Sequence, residues 1–204
     1  MGGMAGFKGF VVWVVVLSGA LAERRGALEG LPMIEVSNGG PWGAWAWQEM
    51  CPEGTYATGF SIKVEAYQGL ANDDTGMNGI RLHCTQGGRG DQHQDHAVES
   101  QSGMWGKWSD PIWCPPGGYL QRFSLRVERI RGGLKDNMGA TNIRFACSGG
   151  ENLEGHGLSW GEYGPWSPPC QKGLCGIQTK QELPRGALRD DTALNDVRFL
   201  CCNH

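Results

Sequence analysis

The stretch DDTGMNGIRLHC, residues 73–84, returns as DDTALNDVRFLC at residues 190–201. With substitutions in the same frame it also stands at residues 136–147 as DNMGATNIRFAC. Self-similarity of this kind marks one local structure built three times. Aligning the copies on Cys84, Cys147 and Cys201 brings Trp42-Gly43-Ala44-Trp45, Trp105-Gly106-Lys107-Trp108 and Trp160-Gly161-Glu162-Tyr163 into register. Cys51, Cys114 and Cys170 also coincide, followed by FSIKVE (60–65), FSLRVE (123–128) and the weaker IQTKQE (177–182). The first two copies keep identical spacing, 33 residues between their cysteines and 63 from copy to copy. The modules run over about 34–88, 98–150 and 156–202.

Within each module the pattern has period two. Phe60, Ile62 and Val64 face one way and Ser61, Lys63 and Glu65 the other, while Ile80, Leu82 and Cys84 alternate with Arg81 and His83. This alternation predicts half-buried antiparallel strands. The 34 glycines and 10 prolines interrupt every stretch long enough for a helix. In the repeated twelve residues, Asp and Asn side chains are expected to bond the backbone in a turn, with the strand starting at the β-branched position that follows. Three antiparallel sheets related by a pseudo-threefold axis would bury their apolar faces in one core. A three-bladed, propeller-like ring is the alternative packing.

Residues 1–22 read as a signal peptide: Lys8, the apolar run Phe10 to Leu17, then Ala20-Leu21-Ala22. The run is too short for a transmembrane anchor. Cleavage after Ala22 leaves residues 23–204 as a single domain and, with Lys8 removed, takes the formal charge from -3 to -4. A mildly acidic chain of this kind carries no electrostatic footprint for nucleic acid and no basic helix for anionic lipid. All eight cysteines lie in the mature part, which predicts four disulfides in an oxidising, extracellular setting. By the repeat, Cys51 pairs with Cys84 and Cys114 with Cys147, leaving Cys170 and Cys175 to share Cys201 and Cys202. Repeat equivalence favours Cys170 with Cys201 and Cys175 with Cys202, an order the sequence leaves open. Each bridge closes a loop of about 30 residues and contributes roughly 3–4 kcal/mol on the chain-entropy relation. No tight Cys or His pair has the spacing of a zinc site, and no Asn-x-Ser/Thr acceptor is present.

The segments NGGPWGAWAWQEMCPEG (38–54), GFSIKVE (59–65), DDTGMNGIRLHC, SGMWGKW (102–108) and DDTALNDVRFLCC (190–202) resemble the vitelline membrane outer layer protein I family. The similarity runs from about Ile34 to Cys202. It implies an all-β fold, the β-prism, in which three antiparallel Greek-key sheets form the sides of a prism. It also implies a secreted protein of an extracellular coat; the avian namesake belongs to the outer layer of the egg's vitelline membrane. Jacalin-type lectins share the prism, but a shared fold does not transfer a site.

Candidate sites follow from the repeats. Trp42, Trp45, Trp105, Trp108, Trp160 and Trp166 could stack on sugar rings, yet their triplication is explained more directly if they are internal plugs of the prism. Glu65, Glu128 and Glu182 recur at one position, and Asp73, Asp136 and Asp190 at another. Two carboxylates flanking a glycosidic bond are the minimum for glycosyl chemistry, and Glu65, Asp74 and Glu128 are the catalytic candidates. The link 87–103 contains Arg89-Gly90-Asp91, and His93, Asp95 and His96 lie beside it without metal-site spacing. It is expected to be a solvated linker. No phosphate loop, nucleophile elbow or free cysteine appears, so no cofactor and no metal are expected. The sequence points to a monomeric, secreted structural or interaction protein with glycan or glycoprotein partners. A weak glycan-active hydrolase or glycosyl transferase is the alternative.

Overall fold

The computed structural model describes residues 30–65, 76–86, 95–129, 138–182 and 194–203. The signal segment, Asp73, Asp74, Asp136, Asp190, His93 and Arg89-Gly90-Asp91 lie outside them. Among the described residues of the compact unit Met33–His204, fourteen strands are formed and no helix occurs. In chain order they are β1 (Met33–Ile34), β2 (Ala44–Trp45), β3 (Glu49–Met50), β4 (Tyr56–Val64), β5 (Met77–Thr85), β6 (His96–Glu99) and β7 (Lys107–Trp108). There follow β8 (Ile112–Trp113), β9 (Leu120–Arg129), β10 (Met138–Cys147), β11 (Asn152–Glu154), β12 (Glu162–Tyr163), β13 (Leu174–Gln181) and β14 (Leu194–Cys201).

Each module contributes one long hairpin, β4–β5, β9–β10 or β13–β14, and each hairpin is the centre of one antiparallel sheet. The first sheet runs β6-β5-β4-β7 with β8 also on β4. The second is β11-β10-β9-β12, and the third β1-β14-β13-β2 with β3 also on β13. The predicted alternation holds on the inward faces. Phe60, Ile62, Ile80 and Leu82 of the first sheet meet Phe123, Leu125, Ile143 and Phe145 of the second and Ile177, Val197 and Phe199 of the third in one core. At its centre Phe145 lies 4.6 Å from Phe60 and 5.3 Å from Phe199, and Phe123 lies 4.8 Å from Phe199, tilted or edge-on as aromatic quadrupoles prefer. The three sheets are the sides of a β-prism.

The sheets do not coincide with the sequence modules. Trp42–Trp45 opens the first module, but its strand β2 pairs with β13 of the third hairpin. Likewise β7 returns to β4 and β12 to β9. Each hairpin is therefore completed by the segment that follows it, and the last hairpin by the first segment of the ring, residues 33–50. The disulfides follow this closure. Cys51, whose amide donates to Cys175 O on the third sheet, bonds Cys84 on the first. Cys114 follows β8 of the first sheet and bonds Cys147 on the second; Cys170, held on Gln121 O of the second, bonds Cys201 on the third. These three bridges staple the sheets pairwise around the ring. Cys175–Cys202 instead joins β13 to the residue that follows its neighbour β14 in the third sheet.

Two expectations are corrected. Asn78 and Asn195 are not turn residues: they sit inside β5 and β14, buried, and the strands start before the β-branched position. Their carbonyls accept from Gly103 N and Gly40 N, both at 2.6 Å, and Thr141 O accepts from Leu158 N at 2.9 Å in the second sheet. The segments that cross from one sheet to the next thus extend each ladder. Nor is all of 87–103 a solvated linker, because His96–Glu99 is the edge strand β6 and Val98 joins the core.

Candidate functional site

The three Trp-Gly-x-Trp/Tyr elements occupy equivalent places across the ends of the long strands. Their glycines adopt positive φ: 83° at Gly43, 88° at Gly106 and 79° at Gly161. A Cβ on Gly106 would lie 2.4 Å from Val64 O, and one on Gly161 2.3 Å from Val127 O, so only glycine lets the element lie flat on the strand. The bend turns the first aromatic outward and lays the second on the sheet. Trp42, Trp105 and Trp160 are 44%, 52% and 38% exposed, which overturns the expectation of internal plugs. Trp45, Trp108 and Trp166 are half-buried on the outer faces. Phenylalanines already fill the core, leaving the indoles to cover the outside.

What they cover is the repeated arginine of the twelve-residue segment. Arg81 stacks on Trp108 at 4.0 Å and ion-pairs with Glu99 at 2.9 Å; Arg198 stacks on Trp45 at 4.3 Å and pairs with Glu35 at 3.0 Å. The second sheet departs from this plan. Arg126, Tyr163, Arg144, Trp166 and Arg122 alternate in a ladder with cation-to-ring distances of 4.8, 4.3, 4.7 and 5.2 Å. Glu154, across the ladder from Arg144, accepts instead from the Tyr163 hydroxyl at 2.9 Å. Burial, then this bond, holds the Tyr163 phenol well above its usual range.

At the end of that ladder lies a cleft of 470 Å³ lined by Asn38, Val127, Glu128, Gly161, Glu162, Tyr163 and Gly164. Asn38 donates through Nδ2 to Leu125 O at 2.8 Å, while its Oδ1 is shielded from solvent with no hydrogen-bond partner. Of the carboxylates singled out from the sequence, the cleft contains Glu128. Glu65 occupies the equivalent position on the first sheet and is buried, and Asp74 is outside the described residues. Glu162 and Asn38 were missed. Their signal was divergence: the equivalent residues to Glu162 are Ala44 and Lys107.

A second constellation was also missed. On the outer face of the first sheet, Ser61 Oγ lies 2.8 Å from His83 Nε2, and His83 Nδ1 lies 2.5 Å from Asp95 Oδ2. The order is that of a hydrolytic relay, but Ser61 is 2% exposed and the ring lies 5.3 Å from Trp113. A nucleophile has to reach its substrate, so the set is read as a buried polar network that fixes β5 against β4 and β6. Among the described residues no group of three or more His, Cys, Asp or Glu is placed to hold a metal ion. No described helix is long and apolar enough to cross a membrane.

Comparison with known proteins agrees with this geometry. Among solved structures, the lectin frutapin from Artocarpus incisa matches with a TM-score of 0.52 at 10% identity, over 84% of this chain and 97% of that one. Calystegia sepium agglutinin matches with a TM-score of 0.51 at 10% identity, over 83% and 95%. At such identities the likeness shows the β-prism fold. The vitelline membrane outer layer protein 1 homolog of Mus musculus is 59% identical over 170 residues, 83% of this chain and 83% of its own length. That of Homo sapiens is 60% identical over 170 residues, 83% and 82%. The family model "Vitelline membrane outer layer protein I (VOMI)" matches residues 32–204, and the chain belongs to that family.

Proposed function

We propose that the protein is a secreted structural component of an extracellular coat or fluid that associates with glycans or glycoproteins through the cleft beside Trp160. The observation that carries the reading is the cleft itself. It combines two carboxylates, an amide with an unpartnered oxygen, a phenol and a neighbouring exposed indole, the groups that hold sugar hydroxyls and stack on a sugar's apolar face. Secretion is supported by the signal-like residues 1–22 and by four disulfides with no free cysteine. The family takes its name from a coat layer, and one structural neighbour, the Calsepa lectin, was solved with a bisected glycan. These make glycans the first partner class to test.

The test is binding of the oxidised mature chain to an array of neutral oligosaccharides, with Trp160→Ala and Asn38→Ala beside the parent. Saturable binding that both substitutions weaken supports the reading; binding indifferent to both places the contact elsewhere and refutes the cleft. The enzyme reading is favoured by one observation, that Glu128 and Glu162 line the same cleft. It requires chito-oligosaccharide turnover, followed by mass spectrometry, that Glu128→Gln and Glu162→Gln each abolish.

A further inference from the structure

The two Trp-Gly-x-Trp elements, at 42–45 and 105–108, present a feature that neither the cleft nor the core uses. In each, a pair of indoles is three residues apart. The first indole is about half-exposed and the second is held flat under an arginine, Arg198 or Arg81. The third element differs in one residue, Tyr163 in place of the second tryptophan, while Trp160 remains exposed. Two tryptophans at this spacing are the acceptor pattern of secretory-pathway tryptophan C-mannosylation, which modifies the first of the pair.

We propose that Trp42 and Trp105 are C-mannosylated and that Trp160 is not. The chemistry needs one co-reactant, a lipid-linked mannosyl phosphate. The electron-rich indole C2 attacks the anomeric carbon of the mannose. The bond from that carbon to phosphate oxygen breaks as the carbon–carbon bond forms, the lipid phosphate leaves with the electron pair, and the C2 proton is lost to restore aromaticity.

The folded protein accommodates the product at both sites. Gly43 and Gly106, with φ of 83° and 88°, direct the first indole away from the sheet. A carbonyl just before each bend is already held. Lys180 Nζ donates to Pro41 O at 2.8 Å, and Lys63 Nζ donates to Gly103 O at 2.8 Å, so a bulky polar substituent on the indole displaces no ladder bond. Since this chain has no Asn-x-Ser/Thr acceptor, these mannoses are the sugars its sequence can carry by a defined acceptor pattern.

The inference rests on the secretory reading, and the experiment separates the two. The full chain is expressed in cultured animal cells competent for C-mannosylation. Secretion and thiol content are scored in the same culture, and peptides are sequenced by mass spectrometry. The expected result is one hexose on Trp42 and one on Trp105, resistant to enzymatic deglycosylation, with none on Trp160. Trp45→Ala removes the first hexose and Trp108→Ala the second. Tyr163→Trp, which completes the third pair, adds one at Trp160. A secreted, disulfide-bonded chain with bare Trp42 and Trp105 overturns the inference alone, as does a hexose on Trp160 of the parent. A chain that stays in the cell with free thiols overturns the secretory reading and this inference with it.

Discussion

Replacing Cys51 and Cys84 by serine together tests whether the bridges between sheets hold the ring shut. The bridge spans 33 residues, which by the chain-entropy relation gives about 3.7 kcal/mol at 25 °C. Cys175–Cys202 spans 27 residues and taken alone would be worth nearly as much. Its loop, however, overlaps that of Cys170–Cys201, whose two cysteines flank it closely in sequence. With that bond intact the unfolded chain needs to close only the five residues from Cys170 to Cys175, the one from Cys201 to Cys202 and the bridge. An effective loop of roughly 7 residues corresponds to about 2.4 kcal/mol. The Cys51→Ser/Cys84→Ser pair should therefore lose about 1.3 kcal/mol more than Cys175→Ser/Cys202→Ser. The assay is guanidinium unfolding followed by tryptophan fluorescence, with limited proteolysis alongside. Residues 33–50 pair through two-residue ladders at β1, β2 and β3, so the first variant should be cut within that segment and the second should not. Equal losses, or the reverse order, would show that the bridge across sheets is no stronger a constraint than the one within a sheet and would refute the reasoning.

Asp196 lies beneath Gly39, and burial lifts its carboxyl from 3.8 to about 6 against the opposing pull of the Val197 amide. An acid raised in this way favours the fold while protonated, so its contribution is fully present below pH 3.8 and falls away as pH rises to about 6. Asp196→Asn, which keeps an oxygen for Val197 N, should remove that fall and stabilise the protein at pH 7.5 by about 1–2 kcal/mol after screening, read from paired unfolding curves. Gly106→Ala meets both a positive φ and the Val64 carbonyl, whereas Gly54, φ 77°, has nothing near its missing Cβ. The first change should cost at least ~2 kcal/mol and the second about 1, and equal melting temperatures would contradict this. Asp95→Ala strips the buried His83 of its acceptor and should cost about 1–3 kcal/mol. In the parent, Ser61 should stay unlabelled by a fluorophosphonate, and labelling would restore the hydrolytic reading.

The threefold count, the long hairpins and the partners of Cys51 and Cys114 were legible because each is a repeated interval with local consequences. The boundaries of the sheets were not. In a closed ring of repeats the period is legible but the phase is not, and it is the pairing of β1, β2 and β3 with the third hairpin that shows residues 33–50 completing the last sheet. The Glu128–Glu162 cleft was half legible, since searching for residues shared by all copies finds Glu128 and passes over Glu162. Ser61, His83 and Asp95 escaped for the same reason: the equivalents of His83 are Ala146 and Leu200, and a network present once leaves no repeat. The tryptophans were misread because residue type reports apolar area and not the side of the sheet, which the cations on the central strands decide.

The pairing of β1 with β14, Met33 opposite Leu200, has a consequence for how the protein is made. A chain emerging from its amino end can form the first two hairpins early, but residues 33–50 have no edge to join until the final hairpin appears. Through most of synthesis the opening segment must wait, with three two-residue edge strands unpaired. Closure of the ring and formation of the last two disulfides are thus tied to β14 and the cysteines at its end. A truncation that removed only Leu200 onward would take away Cys201, Cys202 and the partner of Met33, and so loosen the start of the domain as well as its end.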